Sequence, residues 1–219
     1  RILADSGHAN FIPSLILYHP SPSVVIQALD IFAETERDDL LGLLEHLLDH
    51  EDGDVRAASV RASFVLEPDR AKLVQLTQRE CLAVRVSATA GLLALEEESE
   101  EEYAALLAEA AAYESHEPRL AAATSATHFY HPIMREWLLE FAQDDDIQVA
   151  TAAVRAIRSS EDAWFTDPLV GLLAHRRIRD EVRCALMDRG PSALAVLAVK
   201  LTKPSTSLAV RTHIPRTIA

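Results

Sequence analysis

Apolar residues recur along this chain at helical spacing. Leu40, Leu41, Leu44 and Leu48 fall on one side of a helix, as do Ile133, Met134, Trp137, Leu138 and Phe141, because positions three and four apart lie one above the other. A second kind of segment has the same period with lighter residues: Val149, Ala152, Ala153 and Ala156 share one face. Small side chains there let neighbouring helices approach closely. Sustained apolar–polar alternation is absent, and Gly53 in EDGD lies between two helical patterns, so the sequence carries no strand signal.

The two kinds of segment alternate, and the lighter one repeats as a phrase: an acidic or polar turn, then Val or a similar residue, often Arg, then small residues. It occurs as SVVIQALDIF, DVRAASVRAS, AVRVSATAGL, RLAAATSATH, QVATAAVRAI, EVRCALMDRG and AVRTHIPRTI. Its anchors are Val25, Val55, Val84, Leu120, Val149, Val182 and Val210, spaced by 30, 29, 36, 29, 33 and 28 residues, a period that fits a helix pair. Each phrase is expected to open the second helix of its pair, with Ser23, Asp54 and Asp180 placed to cap the first unpaired backbone N–H groups. The reading is all-α: about seven helix pairs in a single array over residues 1–219.

Composition agrees. The chain has 219 residues, 49% of them hydrophobic, with only six glycines and 5% aromatics, which favours helices over sheets. Cys81 and Cys184 have no neighbouring Cys or His at ligand spacing, so reduced, buried thiols are expected, with Cys184 at best partly exposed and no nucleophile proposed. The uncharged stretch from Ser6 to Leu29 is broken by Pro13, Pro20 and Pro22, so it reads as two short helices; a bilayer-spanning helix needs roughly 20 largely apolar residues. The segment begins at Arg1 and stops at Ala219 inside an apolar helical pattern, which reads as part of a longer chain.

The turn-Asp, Val, Arg and small-residue phrase in DVRAASVRA, echoed in AVRVSATA and DEVRCAL, resembles HEAT repeats. The resemblance covers nearly the whole chain. It implies a right-handed α-α superhelix, a cytoplasmic setting, and a fragment of a larger bacterial protein, in some cases a membrane transporter. It is weaker in the fourth and fifth units, where Ala121 and Ala150 follow the anchors; looser or tilted packing is expected there.

Stacked repeats would place Arg56, Arg85, Arg183 and Arg211 in a row along one edge. That ladder is expected to be structural, each Arg pairing with a turn carboxylate such as Asp54 or Asp180, as the resemblance implies. Arg61 and Arg155, six residues past their anchors, are expected on the other side of the second helices, which in HEAT-like arrays faces the concave surface. With Gln27 and Asp30 they are the candidate binding residues. His46 and His50 have a spacing at which two imidazoles can share a metal, but HLLDH lacks the H-E-x-x-H arrangement, and they read as solvated. His128 and His131 read as part of a turn around Phe129 and Tyr130. The run from Glu96 to Glu102 reads as a solvated loop feeding a helix whose N-terminus favours negative charge.

Charge is polarised along the chain. Residues 1–110 carry 21 acidic and 8 basic side chains, residues 111–219 carry 13 of each, and from Arg176 onward nine basic residues face three acidic ones. A field of that kind orients a charged partner on approach. No phosphate loop, dinucleotide fingerprint or GxSxG occurs. The expected role is a non-catalytic scaffold for a protein or peptide, including other domains of the parent chain, with no cofactor and no metal. The alternative is a regulatory module of a membrane-anchored parent, with membrane contact only through missing parts of that parent. An enzyme resembling DNA glycosylases or bilin lyases fits less well: a net charge of −13 opposes phosphate binding, and no nucleic acid partner is expected.

Overall fold

A computed structural model describes residues 11–35, 37–79, 81–95, 100–113 and 115–218. It is all-helical, with no strand among the described residues. The chain clusters into two compact units, residues 1–125 and 126–219.

The first unit begins with a short 3-10 helix, η1 (Ser14–Tyr18), and α1 (Pro22–Glu34). Then follow α2 (Leu41–Leu47) with α3 (Gly53–Leu66), α4 (Arg70–Leu76) with α5 (Leu82–Leu95), and α6 (Glu100–Ala111) with α7 (His116–His128), whose last residues pass into the second unit. The second unit continues with α8 (Arg135–Phe141) and α9 (Ile147–Ser159), α10 (Thr166–Leu172) and α11 (Arg179–Asp188), and α12 (Pro191–Thr202), α13 (Leu208–Arg211) and α14 (Ile214–Ile218). All seven anchors lie in the first two turns of a helix, in α1, α3, α5, α7, α9, α11 and α13. The hydrophobic phrase therefore found the element it was expected to open.

The capping side chain sits elsewhere than expected. Asp52, in extended conformation, accepts from the N–H groups of Asp54 (2.9 Å) and Val55 (3.1 Å) and so caps α3; Asp54 lies inside the first turn. Asp146 does the same for α9. Ser23 is within α1 and its hydroxyl is 2.9 Å from that of Ser21, while Asp180 is within α11 and faces Arg183. A cap must be extended to present its oxygen to the second and third N–H groups. The helices begin one or more residues earlier than the phrase implies, which moves these carboxylates out of that geometry.

Within the first unit α1 packs on α3 and α3 on α5, with α2 and α4 each against the second helix of their own pair. Helix α3 is consequently enclosed, with every residue from Ala57 to Phe64 buried; α5 is buried from Val86 to Leu93. Ala57, Ala58, Ala62, Ala88 and Ala90 make such multi-sided contact sterically possible. Gly91 marks the tightest approach: a Cβ there would lie 3.2 Å from the Leu73 side chain of α4 and 3.5 Å from Phe64 of α3.

In the second unit α9 packs on α11, α8 on α9, and α10 on both α11 and α12. Helix α9 is amphipathic, burying Val149, Ala152, Ala153, Ala156 and Ile157 and exposing Arg155 and Arg158. Phe165 and Leu169 are completely buried, each worth about 1.5–3 kcal/mol relative to an exposed position. The two longest helices, α3 and α5, have 14 residues. Among the described residues no helix is long and apolar enough to cross a membrane.

Candidate functional site

Ionic contacts join one helix pair to the next at a nearly constant sequence separation. In the first unit Asp30 of α1 meets Arg61 of α3 (3.6 Å), Glu45 meets Lys72 (3.3 Å), and Asp49 meets Arg79 (3.5 Å). In the second, Arg155 of α9 meets Glu181 of α11 (3.0 Å), Arg158 meets Asp188, and Asp167 of α10 meets Lys200 of α12 (2.8 Å). The Arg155, Arg158 and Lys200 contacts span 26, 30 and 33 residues. These are rungs between successive equivalent positions.

Three of the four candidate binding residues belong to those rungs. Arg61 is not at the surface expected for it: it is 4% exposed, and its Nε has no hydrogen-bond partner. The enclosure of α3 on several sides puts a position six residues past the anchor inside the packing. Burial pulls its guanidinium below the ordinary arginine value, opposed by Asp30 and Asp54. Asp54 is in turn held above the usual carboxylate range, first by burial and then by Asp52 and Glu117. Asp30 is partly exposed, Gln27 is exposed, and Arg155 is exposed as its register implied.

The Arg ladder departs from expectation in its acceptors. Arg56 donates through Nη1 to the carbonyls of His50 and Glu51 (2.9 Å), so it holds the turn through backbone oxygens instead of the Asp54 carboxylate. Arg183 does reach a carboxylate, Asp180, at 2.7 Å. Arg85 and Arg211 are half-buried at the same register. The carbonyl clamp recurs at other positions: Arg119 donates to Tyr113 and Ser115 (3.1 Å), and Arg179 to Leu173 (2.7 Å) and Ala174 (3.1 Å). Each time a guanidinium near the start of the second helix takes up carbonyls around the C-terminal end of the first, which have no intrahelical partner. The fourth unit, lacking Arg after its anchor, has Arg119 one residue before it.

Sequence reasoning missed a polar hub in the second unit. Asp162 accepts at one oxygen from the Tyr130 hydroxyl and from Arg135 Nε (2.7 Å), and at the other from the N–H of Trp164 (2.9 Å). The Arg135 guanidinium lies 5.6 Å from the Trp164 ring centroid, and Phe165 meets both Trp164 and Tyr130 edge-on. Arg189 adds a bond to the Asp162 carbonyl (3.2 Å). The Arg135 contact holds the Asp162 carboxyl down to about 2 against the opposing effect of burial. Burial, followed by Asp162, pushes the Tyr130 hydroxyl up to about 12. Glu161, immediately before the hub, takes a left-handed conformation at φ 54°, uncommon for a residue with a Cβ. Nothing local announces a hub assembled from residues about thirty apart.

His50 lies in the turn beyond α2, and its Nδ1 accepts from the Asp52 N–H at 3.0 Å, while His46 is exposed on the helix. His128 stacks obliquely on Phe129, and His131 caps the 3-10 turn Pro132–Met134. Among the described residues no group of three or more His, Cys, Asp or Glu is arranged to hold a metal ion. Of the acidic run, residues 96–99 lie outside the described residues and Glu100 begins α6. The thiols are less buried than expected: Cys81 is half-buried, and Cys184 is exposed on the same face of α11 as Asp180, Met187 and Asp188. Cys81, His50, Arg56 and Arg79 border a cleft of about 350 Å³ floored by Leu48, Leu76 and Val84. The chain matches no known family model and no curated protein.

Proposed function

We propose that this protein is a HEAT-like helical-repeat array that acts as a non-catalytic docking module for a protein or peptide. The observation that carries this reading is the recurrence, at one repeat period, of the same arrangement. An anchor opens each second helix, α1 packs on α3, α3 on α5 and α9 on α11, and ionic rungs link neighbouring pairs at 26 to 33 residues. Stacked repeats present long side-chain rows that suit extended partners. The ion pairs on those rows are largely internal to the array, which leaves Gln27 in the first unit, and Arg155 with its exposed guanidinium in the second, as the positions open to a partner.

The test is a pull-down with the wild-type chain, identification and purification of the recovered partner, and titration against Gln27→Lys and Arg155→Glu made separately. Arg61 is unsuitable as a probe because it is buried. With helical circular dichroism and melting unchanged, loss of roughly tenfold or more in affinity, about 1.4 kcal/mol, in at least one variant supports the docking face. Equal binding by both variants moves the contact away from the second helices.

A further inference from the structure

We infer that the cleft between the pairs α2–α3 and α4–α5 binds a small organic oxyanion, a carboxylate or phosphate carried on a short apolar body. The cleft lies wholly within the first unit, and its volume of about 350 Å³ is in the range of ligand pockets, roughly 300–1,000 Å³. Leu48, Leu76 and Val84 give it an aliphatic floor, while Arg56, Arg79 and His50 supply polar groups around it. An apolar floor with a few convergent donors specifies the chemistry of its occupant: an anionic head and an apolar body.

The donors around the cleft are incompletely used. Arg56 donates through Nη1 to the carbonyls of His50 and Glu51, and its Nη2 has no acceptor among the described residues. Arg79, with a side chain 55% exposed, meets Asp49 at 3.5 Å, the outer limit of a hydrogen bond. Arg155 and Arg183 hold their carboxylates at 3.0 and 2.7 Å. His50 accepts from the Asp52 N–H at Nδ1, which puts the proton of the neutral ring on Nε2 and makes that atom a donor.

One backbone donor beside the cleft lacks the partner that its equivalents have. The N–H groups of the anchors Val55 and Val149 are accepted by Asp52 and Asp146, each three residues before its anchor. Three residues before Val84 stands Cys81, and no side chain among the described residues accepts from the Val84 N–H. An oxyanion in the cleft takes the place of the carboxylate that the equivalent helices carry themselves. The thiol is close to the cationic rim: a Cβ on Gly53 would lie 3.4 Å from Cys81 Sγ and 3.4 Å from Arg56 Nη2. An anion held by Arg56 therefore shields Cys81.

The test measures how fast iodoacetamide alkylates Cys81 in the full 219-residue chain carrying Cys184→Ser, which removes the exposed second thiol. Hexanoate and hexyl phosphate are titrated at constant ionic strength beside uncharged hexanamide. At least one anion is expected to slow alkylation saturably and to raise the melting temperature, with hexanamide doing neither; the stronger anion identifies the oxyanion. Arg79→Gln, with circular dichroism unchanged, is expected to weaken that anion roughly tenfold, as loss of a hydrogen bond to a charged group implies. Cys81→Asp restores the capping carboxylate and is expected to abolish the anion-dependent rise in melting temperature. The proposal is overturned if neither anion protects Cys81, if hexanamide protects it equally, if Arg79→Gln binds like its parent, or if Cys81→Asp keeps the full response.

Discussion

Arg61 and Arg155 stand at the same register, each six residues past its anchor and each facing a carboxylate on the neighbouring second helix. Their environments are opposite. The Arg61 side chain is 4% exposed and 3.6 Å from Asp30; that of Arg155 is 46% exposed and 3.0 Å from Glu181. Helix α3 is wrapped by α1, α2 and α5, whereas α9 keeps one face open. Register thus assigns a neighbour, while the number of helices around the position assigns its dielectric environment. A charge in the first setting is costly to leave unpaired, and in the second the pair is screened by water.

The sharpest break of this comparison is Arg61→Glu, which would set an anion beside Asp30 in a buried site. A loss of about 3–5 kcal/mol is expected, read by urea denaturation, and Arg61→Met is expected to cost much less because it removes the charge while retaining the volume. A similar loss in both variants would mean that side-chain shape, not charge, matters there.

The second unit has its own mostly buried ion in Asp162, but this one is saturated with donors. Asp162→Asn is expected to cost about 1–3 kcal/mol at neutral pH. Because the folded value is depressed, the stabilisation is fully present above the unfolded value of about 3.9 and fades as pH falls toward about 2. Wild type and variant should therefore converge in acid, as followed by denaturation midpoints across that window. A gap that persists at pH 2 would assign the effect to packing.

Caps compare the units directly. Asp52→Ala and Asp146→Ala each remove the acceptor for two N–H groups, and each is expected to cost roughly 0.5–2 kcal/mol in thermal unfolding, with little difference between them. The smallest effect is Arg155→Ala, expected to cost at most about 1 kcal/mol and less at high salt. If its cost approached that of Arg61→Glu, exposure would not be what separates the two rungs.

Much of the fold was legible because its signals are local. The anchors, the heavy first helices and the absence of strand patterns follow from side-chain volume and spacing, and each anchor did open a helix. The cap positions lie two residues before Ser23, Asp54 and Asp180, because the phrase marks the buried face, whereas the cap depends on where the backbone leaves the extended conformation. The candidate site was only partly legible. Gln27 and Arg155 are exposed as their helical phase implies, while Arg61 has the same phase and is enclosed. The clamps by Arg56, Arg119 and Arg179 use carbonyl oxygens, which every residue supplies, and a long flexible arm, so the Arg need not keep a fixed register.

The sequence by itself determined the helix-pair period, the helical class, the small-residue second helices and the contrast between an acidic first half and a basic last segment, since these depend on residue type and spacing alone. Tertiary structure decided which of two equivalent arginines is buried, gathered Tyr130, Arg135, Trp164 and Arg189 around Asp162, and set Arg56, Arg79 and Cys81 around one cleft. Those outcomes depend on how many neighbours surround a position and on residues a full repeat apart, and no local pattern encodes either.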